Sequence, residues 1–149
     1  MSVLTEKLLE DQKAAMRAHD EMRLSAIRMV RNALQNAQIA KQAELSDVEA
    51  NEVIAREVRQ RREAIEEARK AGRPELVQKG EAELAIVLVY LPQQLSKEEI
   101  TAEARKTIAE VGAKGPSDRG RVMSRLMPAL RGKADGRTVS AVVEELLAQ

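Results

Sequence analysis

Between residues 84 and 91 the chain reads L-A-I-V-L-V-Y-L, its longest continuous apolar run. A helix built from such a run has no polar stripe and must be covered on several sides. Residues 81–96, E-A-E-L-A-I-V-L-V-Y-L-P-Q-Q-L-S, are therefore expected to hold the central core element. Pro92 ends it, because proline lacks a backbone donor and biases Leu91 away from helical geometry. Ser96 and Glu99 then form the S-x-x-E capping box of a new helix. A four-residue joint thus separates long amino-terminal helices from a smaller, Gly-punctuated module.

Charged residues make up 33% of the chain, while a single Tyr stands without any Phe or Trp. Such a composition favours helix formers, and no apolar alternation runs long enough for a strand. The fold class is read as all-α: an amino-terminal four-helix domain over 1–92, a short Pro-containing linker, and a carboxyl-terminal three-helix tail domain over 93–149. Ser2 and Asp20 are expected to cap the first two helices, with His19-Asp20 as the break between them. Ser46 and Glu49 open a third helix, with Arg61 on its apolar stripe, and Gly72 closes it ahead of Pro74. In the tail, residues 97–111 form a helix capped by Gly112, residues 113–116 a loop, and Ser117 or Asp118 caps a helix containing Pro128, where a kink or tight last turn is expected. Asp135 caps the last helix.

Several function classes fall away. With no cysteine the chain has neither disulfides nor thiolate chemistry, which fits a reducing cytoplasm. Its one histidine, His19, sits at a helix end, where capping explains it better than a Ser-His-Asp arrangement. The pairs Glu66-Glu67, Glu98-Glu99 and Glu144-Glu145 are sequence neighbours and point about 100° apart on a helix, so they read as solvated faces. No phosphate loop, dinucleotide turn or metal-ligand spacing occurs, so no catalytic residue, cofactor or metal is assigned. The longest apolar run is far short of the roughly 20 residues needed to span a bilayer, and a soluble protein with no membrane partner is expected.

The positive signal lies in residues 114–137, which carry Lys114, Arg119, Arg121, Arg125, Arg131, Lys133 and Arg137 against only Asp118 and Asp135. This local excess of five leaves the rest of a chain of net charge +1 at −4. Arg121 and Arg125 lie one helical turn apart, opposite an apolar stripe, and are expected to project together into solvent. Gly132 and Gly136 flank Lys133 in a turn whose amides are expected to approach a phosphate. The segment reads either as an ordinary solvated face or as a surface for a phosphate backbone. With so few aromatics, recognition of a folded RNA by shape and backbone is the better form of the second reading.

Three ordered blocks carry a resemblance: R-L-S-A-I-R-M over 23–29, E-A-E-L-A-I-x-x-x-Y-L-P-x-Q-L over 81–95, and G-R-V-M-x-x-L-M-P-x-L-R-G-K-A-D-G-R over 120–137. Together they resemble the YqeY family. The carboxyl-terminal half is also similar to the tail domain of the B subunit of tRNA-dependent glutamine amidotransferases, GatB, and to a domain appended to some glutaminyl-tRNA synthetases. The resemblance implies a free-standing helical appendage that engages tRNA, with the tRNA-facing role falling on the 120–137 block. An aminoacyl-tRNA synthetase or an amidotransferase is the protein partner it suggests. Two alternatives stand beside it: participation in carbon-nitrogen ligase activity with glutamine as amido donor, as subunit or activator, and a protein-interaction helper with no RNA contact.

Overall fold

The computed structural model describes residues 2–92 and 94–149; Gln93, inside the expected joint, lies outside them. Among the described residues the chain is all-α, with seven α-helices, one short 3-10 turn and no strand. It divides into two compact units, Met1–Leu91 and Pro92–Gln149.

The first unit holds α1 (Val3–Arg17), α2 (Glu21–Lys41), α3 (Asp47–Lys70) and α4 (Pro74–Leu88). The Ser2 hydroxyl accepts from the Thr5 amide at 3.1 Å, and the Asp20 carboxylate accepts from the Arg23 amide at 3.1 Å. These bonds satisfy amides that the first helical turn leaves without partners. Between the two helices, the His19 amide donates to Met16 and the Asp20 amide to Ala15, a closing pattern that puts His19 at φ 55°. The capping box at Ser46 and Glu49 is present, and Pro74 occupies the first turn of α4.

Helix α2 is the hub of this unit. It packs against α1, α3 and α4 and buries Leu24, Ala26, Ile27, Val30 and Leu34. Helices α3 and α4 form a close hairpin, because Gly80 leaves room for Ile65: a Cβ at that glycine would sit 2.7 Å from Ile65 Cγ1.

The expected central role of residues 84–91 needs correction. Val87 and Tyr90 are buried, but Leu88 is exposed and Val89 is 62% exposed. The reason is geometric: α4 packs on α3 and α2, which cover one side of it. The helix also stops at Leu88, before Pro92, and the amides of Val89, Tyr90 and Leu91 turn back to carbonyls three residues earlier. Arg61, on the α3 stripe, reaches Glu83 of α4 at 3.9 Å.

Tyr90 closes the unit. Its hydroxyl donates to Asp11 Oδ2 at 2.6 Å, Asp11 lies 3.8 Å from the Arg23 guanidinium, and Lys7 Nζ stands 5.5 Å from the ring centre. Burial, and after it the Asp11 hydrogen bond, pushes the Tyr90 hydroxyl above its ordinary range. Residues of the first two sequence blocks, Arg23 and Tyr90, thus meet at one carboxylate of α1.

The second unit holds α5 (Lys97–Val111), the 3-10 turn Pro116–Asp118, α6 (Arg119–Leu130) and α7 (Gly136–Leu147). Each of its helices packs on the other two around a core that includes Ile100, Ala104, Val122, Leu126, Val139 and Val143. Ser96 and Glu99 form the expected capping box, and Gly112 takes the left-handed cap of α5 at φ 67°. Pro128 is exposed, and α6 ends two residues beyond it.

Candidate nucleic-acid interface

The seven cations singled out between residues 114 and 137 are all exposed. Three elements present them: the loop before the 3-10 turn carries Lys114, α6 carries Arg119, Arg121 and Arg125, and the α6–α7 connection with the first turn of α7 carries Arg131, Lys133 and Arg137. Amphipathicity accounts for the α6 group. Val122, Leu126 and Leu130 are buried against α5 and α7, which leaves the intervening arginines outside.

Tertiary structure brings carboxylates to α6 that its own sequence lacks. Arg119 Nη1 donates to Ser140 Oγ at 3.2 Å and to the Glu144 carboxylate, both on α7. Arg121 Nη2 lies 3.2 Å from Asp118 Oδ1, one turn earlier. Arg125 Nη2 lies 3.9 Å from Glu110 Oε2 on α5. Arg121 and Arg125 therefore reach in different directions, toward the 3-10 turn and toward α5. All three pairs are exposed, and exposed ion pairs are worth only about 0–1 kcal/mol. A ligand with higher charge density can replace them at small cost.

Asp118 holds the loop that precedes α6. Its Oδ2 accepts from the Lys114 amide at 2.8 Å, and this bond above all keeps the carboxyl below its ordinary range. Asp118 was expected to cap α6 through its side chain; it stands at the cap position but makes no such bond, because its oxygens face Lys114 and Arg121. Asp135 likewise occupies the cap position of α7 without a side-chain cap bond.

The turn around Lys133 differs from expectation. Its amides close α6: Arg131 donates to Met127 at 2.8 Å, and Lys133 and Ala134 donate to Leu130 at 2.9 and 3.0 Å. These three amides are taken up by the end of α6. Gly132 is buried at φ 81°, a conformation that favours a residue without Cβ. The carbonyls of the same turn are engaged too: Gly132 accepts from Gln94 Nε2 at 3.1 Å and Lys133 from the Leu95 amide at 2.9 Å. Gly132 and Lys133 thus join the start of the unit to the α6–α7 connection. The basic segment exposes its cations, while the amides of Arg131, Lys133 and Ala134 and the carbonyls of Gly132 and Lys133 maintain the fold.

A second polar surface escaped the sequence reading. On one side of α2, Arg28, Arg31, Asn32, Gln35 and Gln38 line a cleft of about 460 Å³ against α1. The available signal was the run 22–43, which contains no Asp or Glu.

The family model for Yqey-like protein matches residues 5–147, which takes in all three sequence blocks. The chain belongs to this family. Among its relatives is the Lachancea thermotolerans protein named Altered inheritance of mitochondria protein 41, mitochondrial, which is 32% identical over 113 residues. That match covers 74% of this chain and 60% of the relative, so the chain spans about three fifths of that protein's length. The protein of the same name from Pyrenophora tritici-repentis is 29% identical over 149 residues, covering 98% of this chain and 82% of its own length. Relatives of this chain thus include proteins named as mitochondrial. Among the described residues of this chain no helix is long and apolar enough to cross a membrane.

Proposed function

We propose that this Yqey-like protein is a tRNA-binding accessory that acts through its carboxyl-terminal unit, with no active site of its own. The observation that carries the reading is the concentration of Lys114, Arg119, Arg121, Arg125, Arg131, Lys133 and Arg137 on exposed positions of that unit, with the three on α6 held outward by its packing. Arginine and lysine side chains neutralise phosphates and release counterions, which fixes orientation on an RNA without reading its sequence. The weak pairs to Asp118, Glu110 and Glu144 keep the guanidinium groups spread over the surface until phosphates replace the carboxylates. Any part in glutamine-dependent amide transfer comes, on this reading, through a synthetase or amidotransferase partner, and action in the cytoplasm is the compartment that the cysteine-free composition suits.

Binding of total tRNA should be measurable at micromolar protein and should fall steeply as salt rises. Arg121→Glu with Arg125→Glu should weaken it by at least tenfold, on the scale of about one unit of salt slope per lost phosphate contact, with helical circular dichroism unchanged. A wild-type titration that is flat between low and moderate salt would refute the reading. Exposed Leu88 and Val89 favour a second reading, that of a helper for another protein. Partners that survive nuclease treatment would support it, and partners lost with the RNA would support the first.

A further inference from the structure

The amino-terminal unit carries a polar cleft that the proposed tRNA contact of the tail does not use. Helix α2 forms one wall, where Arg28, Arg31, Asn32, Gln35 and Gln38 share one side of the helix, and Gln12 of α1 faces them. A second cleft adjoins it along α2 and shares Arg28 and Asn32 as lining. Together the two extend over residues 21–38 of α2, about 25 Å at the helical rise of 1.5 Å per residue. That is the shape of a polymer track rather than of a pocket for one small molecule.

Its electrostatics favour one kind of polymer. From residue 22 to residue 43 the chain has no Asp or Glu, its longest acid-free run, with Arg23, Arg28, Arg31 and Lys41 inside it. Glu21, at the far end of the second cleft, is the one carboxylate among the lining residues. Arg23 is engaged by Asp11 and Lys41 by Glu49, but among the described residues Arg31 has only a neutral partner, the Gln12 side-chain oxygen. Arg28 is exposed, and among the described residues it makes no ion pair or hydrogen bond. The Gln12 bond fixes the direction of the Arg31 guanidinium and leaves its charge uncompensated. Beside these two cations stand amides, which offer both donors and acceptors. Cations spaced along a track meet phosphates, and side-chain amides meet ribose hydroxyls and base edges.

We infer that this side of α2 is a second RNA-contacting track, on which Arg28 and Arg31 neutralise phosphates of the bound strand and Asn32, Gln35 and Gln38 hydrogen-bond its sugars or bases. The inference rests on the tRNA-binding reading above and adds a contact surface in the other unit.

The test is a titration of labelled total tRNA by the full chain across a series of salt concentrations. Arg28→Gln with Arg31→Gln should weaken binding on the order of tenfold and lower the slope of log affinity against log salt by about two, one for each lost phosphate contact. Arg28→Lys with Arg31→Lys should keep most of both. The exposed α3 cations Arg56 and Arg62, changed together to Gln, make the same charge difference away from the track and should leave the slope near wild type. If the α6 double variant weakens binding while Arg28→Gln with Arg31→Gln matches the α3 control, the track is refuted and the tail reading stands. If the track variant weakens binding while the α6 variant does not, the track stands and the tail surface falls. If the wild-type chain binds no tRNA, both fall.

Discussion

Helices α2 and α6 are alike in sequence and different in surroundings. All of α6 lies in the acid-free basic run 119–134 and all of α2 after Glu21 in the run 22–43, and each overlaps one of the sequence blocks that carry the resemblance. In the folded tail, carboxylates from α5, from α7 and from the preceding turn come to the α6 arginines. In the amino-terminal unit the α2 cleft instead sets Arg31 against an amide and leaves Arg28 open. A count of charges along a chain therefore locates a basic helix without giving its field. The field depends on which helices pack beside it.

The two units also differ in how their cores are held. The first has a polar pin, Tyr90 to Asp11, between the turn that follows α4 and α1, whereas the second is packed mainly with aliphatic side chains. The largest expected effect breaks that comparison in the tail. Leu126→Ala empties a fully buried site and should cost about 2–5 kcal/mol, a large fraction of what a unit of this size can hold. Tyr90, the sole aromatic residue, reports on the first unit alone, so in denaturant the helical dichroism of this variant should fall well before the tyrosine signal moves. Coincident shifts of both signals would show that the units unfold together.

A smaller effect sharpens the comparison from the other side. Tyr90→Phe removes the donor to Asp11 and should cost about 1–2 kcal/mol. The hydroxyl is raised by burial and by Asp11, so the stability it contributes is complete below pH 10, its ordinary range, and is lost as pH rises beyond it. Wild-type and Tyr90→Phe stabilities should therefore converge in strong alkali. Parallel curves there would mean that the hydroxyl is not what holds the turn after α4 to α1.

The smallest expected effect lies at the start of α3. The Glu49 carboxyl is held down at about 2, first by the Lys41 ammonium at 2.7 Å and then by the Ser46 amide. A depressed carboxyl stabilises the fold above the ordinary carboxylate range, and this contribution disappears as pH falls from about 4 toward 2. Glu49→Gln should flatten that acid limb of the stability curve slightly. An unchanged acid limb would assign it to other carboxylates.

Much of the architecture was legible because it rests on local chemistry. Ser2, Asp20, Ser46 and Ser96 bond backbone amides within one turn, and Gly112 stands where a left-handed residue is needed, so these boundaries are written in neighbouring letters. Gln42 takes the same left-handed geometry at φ 60° with no glycine to announce it. The exposure of Val89 was hidden as well, because apolarity around a helix does not reveal how many helices will cover it. For the candidate interface, sequence gave the exposed cations of residues 114–137 but not their carboxylate neighbours, which are 3 to 25 positions away along the chain. The bonds from the Lys133 and Ala134 amides to Leu130 were equally invisible, since a glycine-flanked lysine looks the same whether or not its amide closes a helix.

The bonds from Gln94 and Leu95 to the α6–α7 turn bear on where the tail may be cut. A fragment begun at Ser96, the cap of α5, would shed two fasteners of the turn that carries Lys133 and present a loosened version of the basic surface. Begun at Pro92, it keeps them, so four residues of apparent connector separate a faithful excised module from a misleading one.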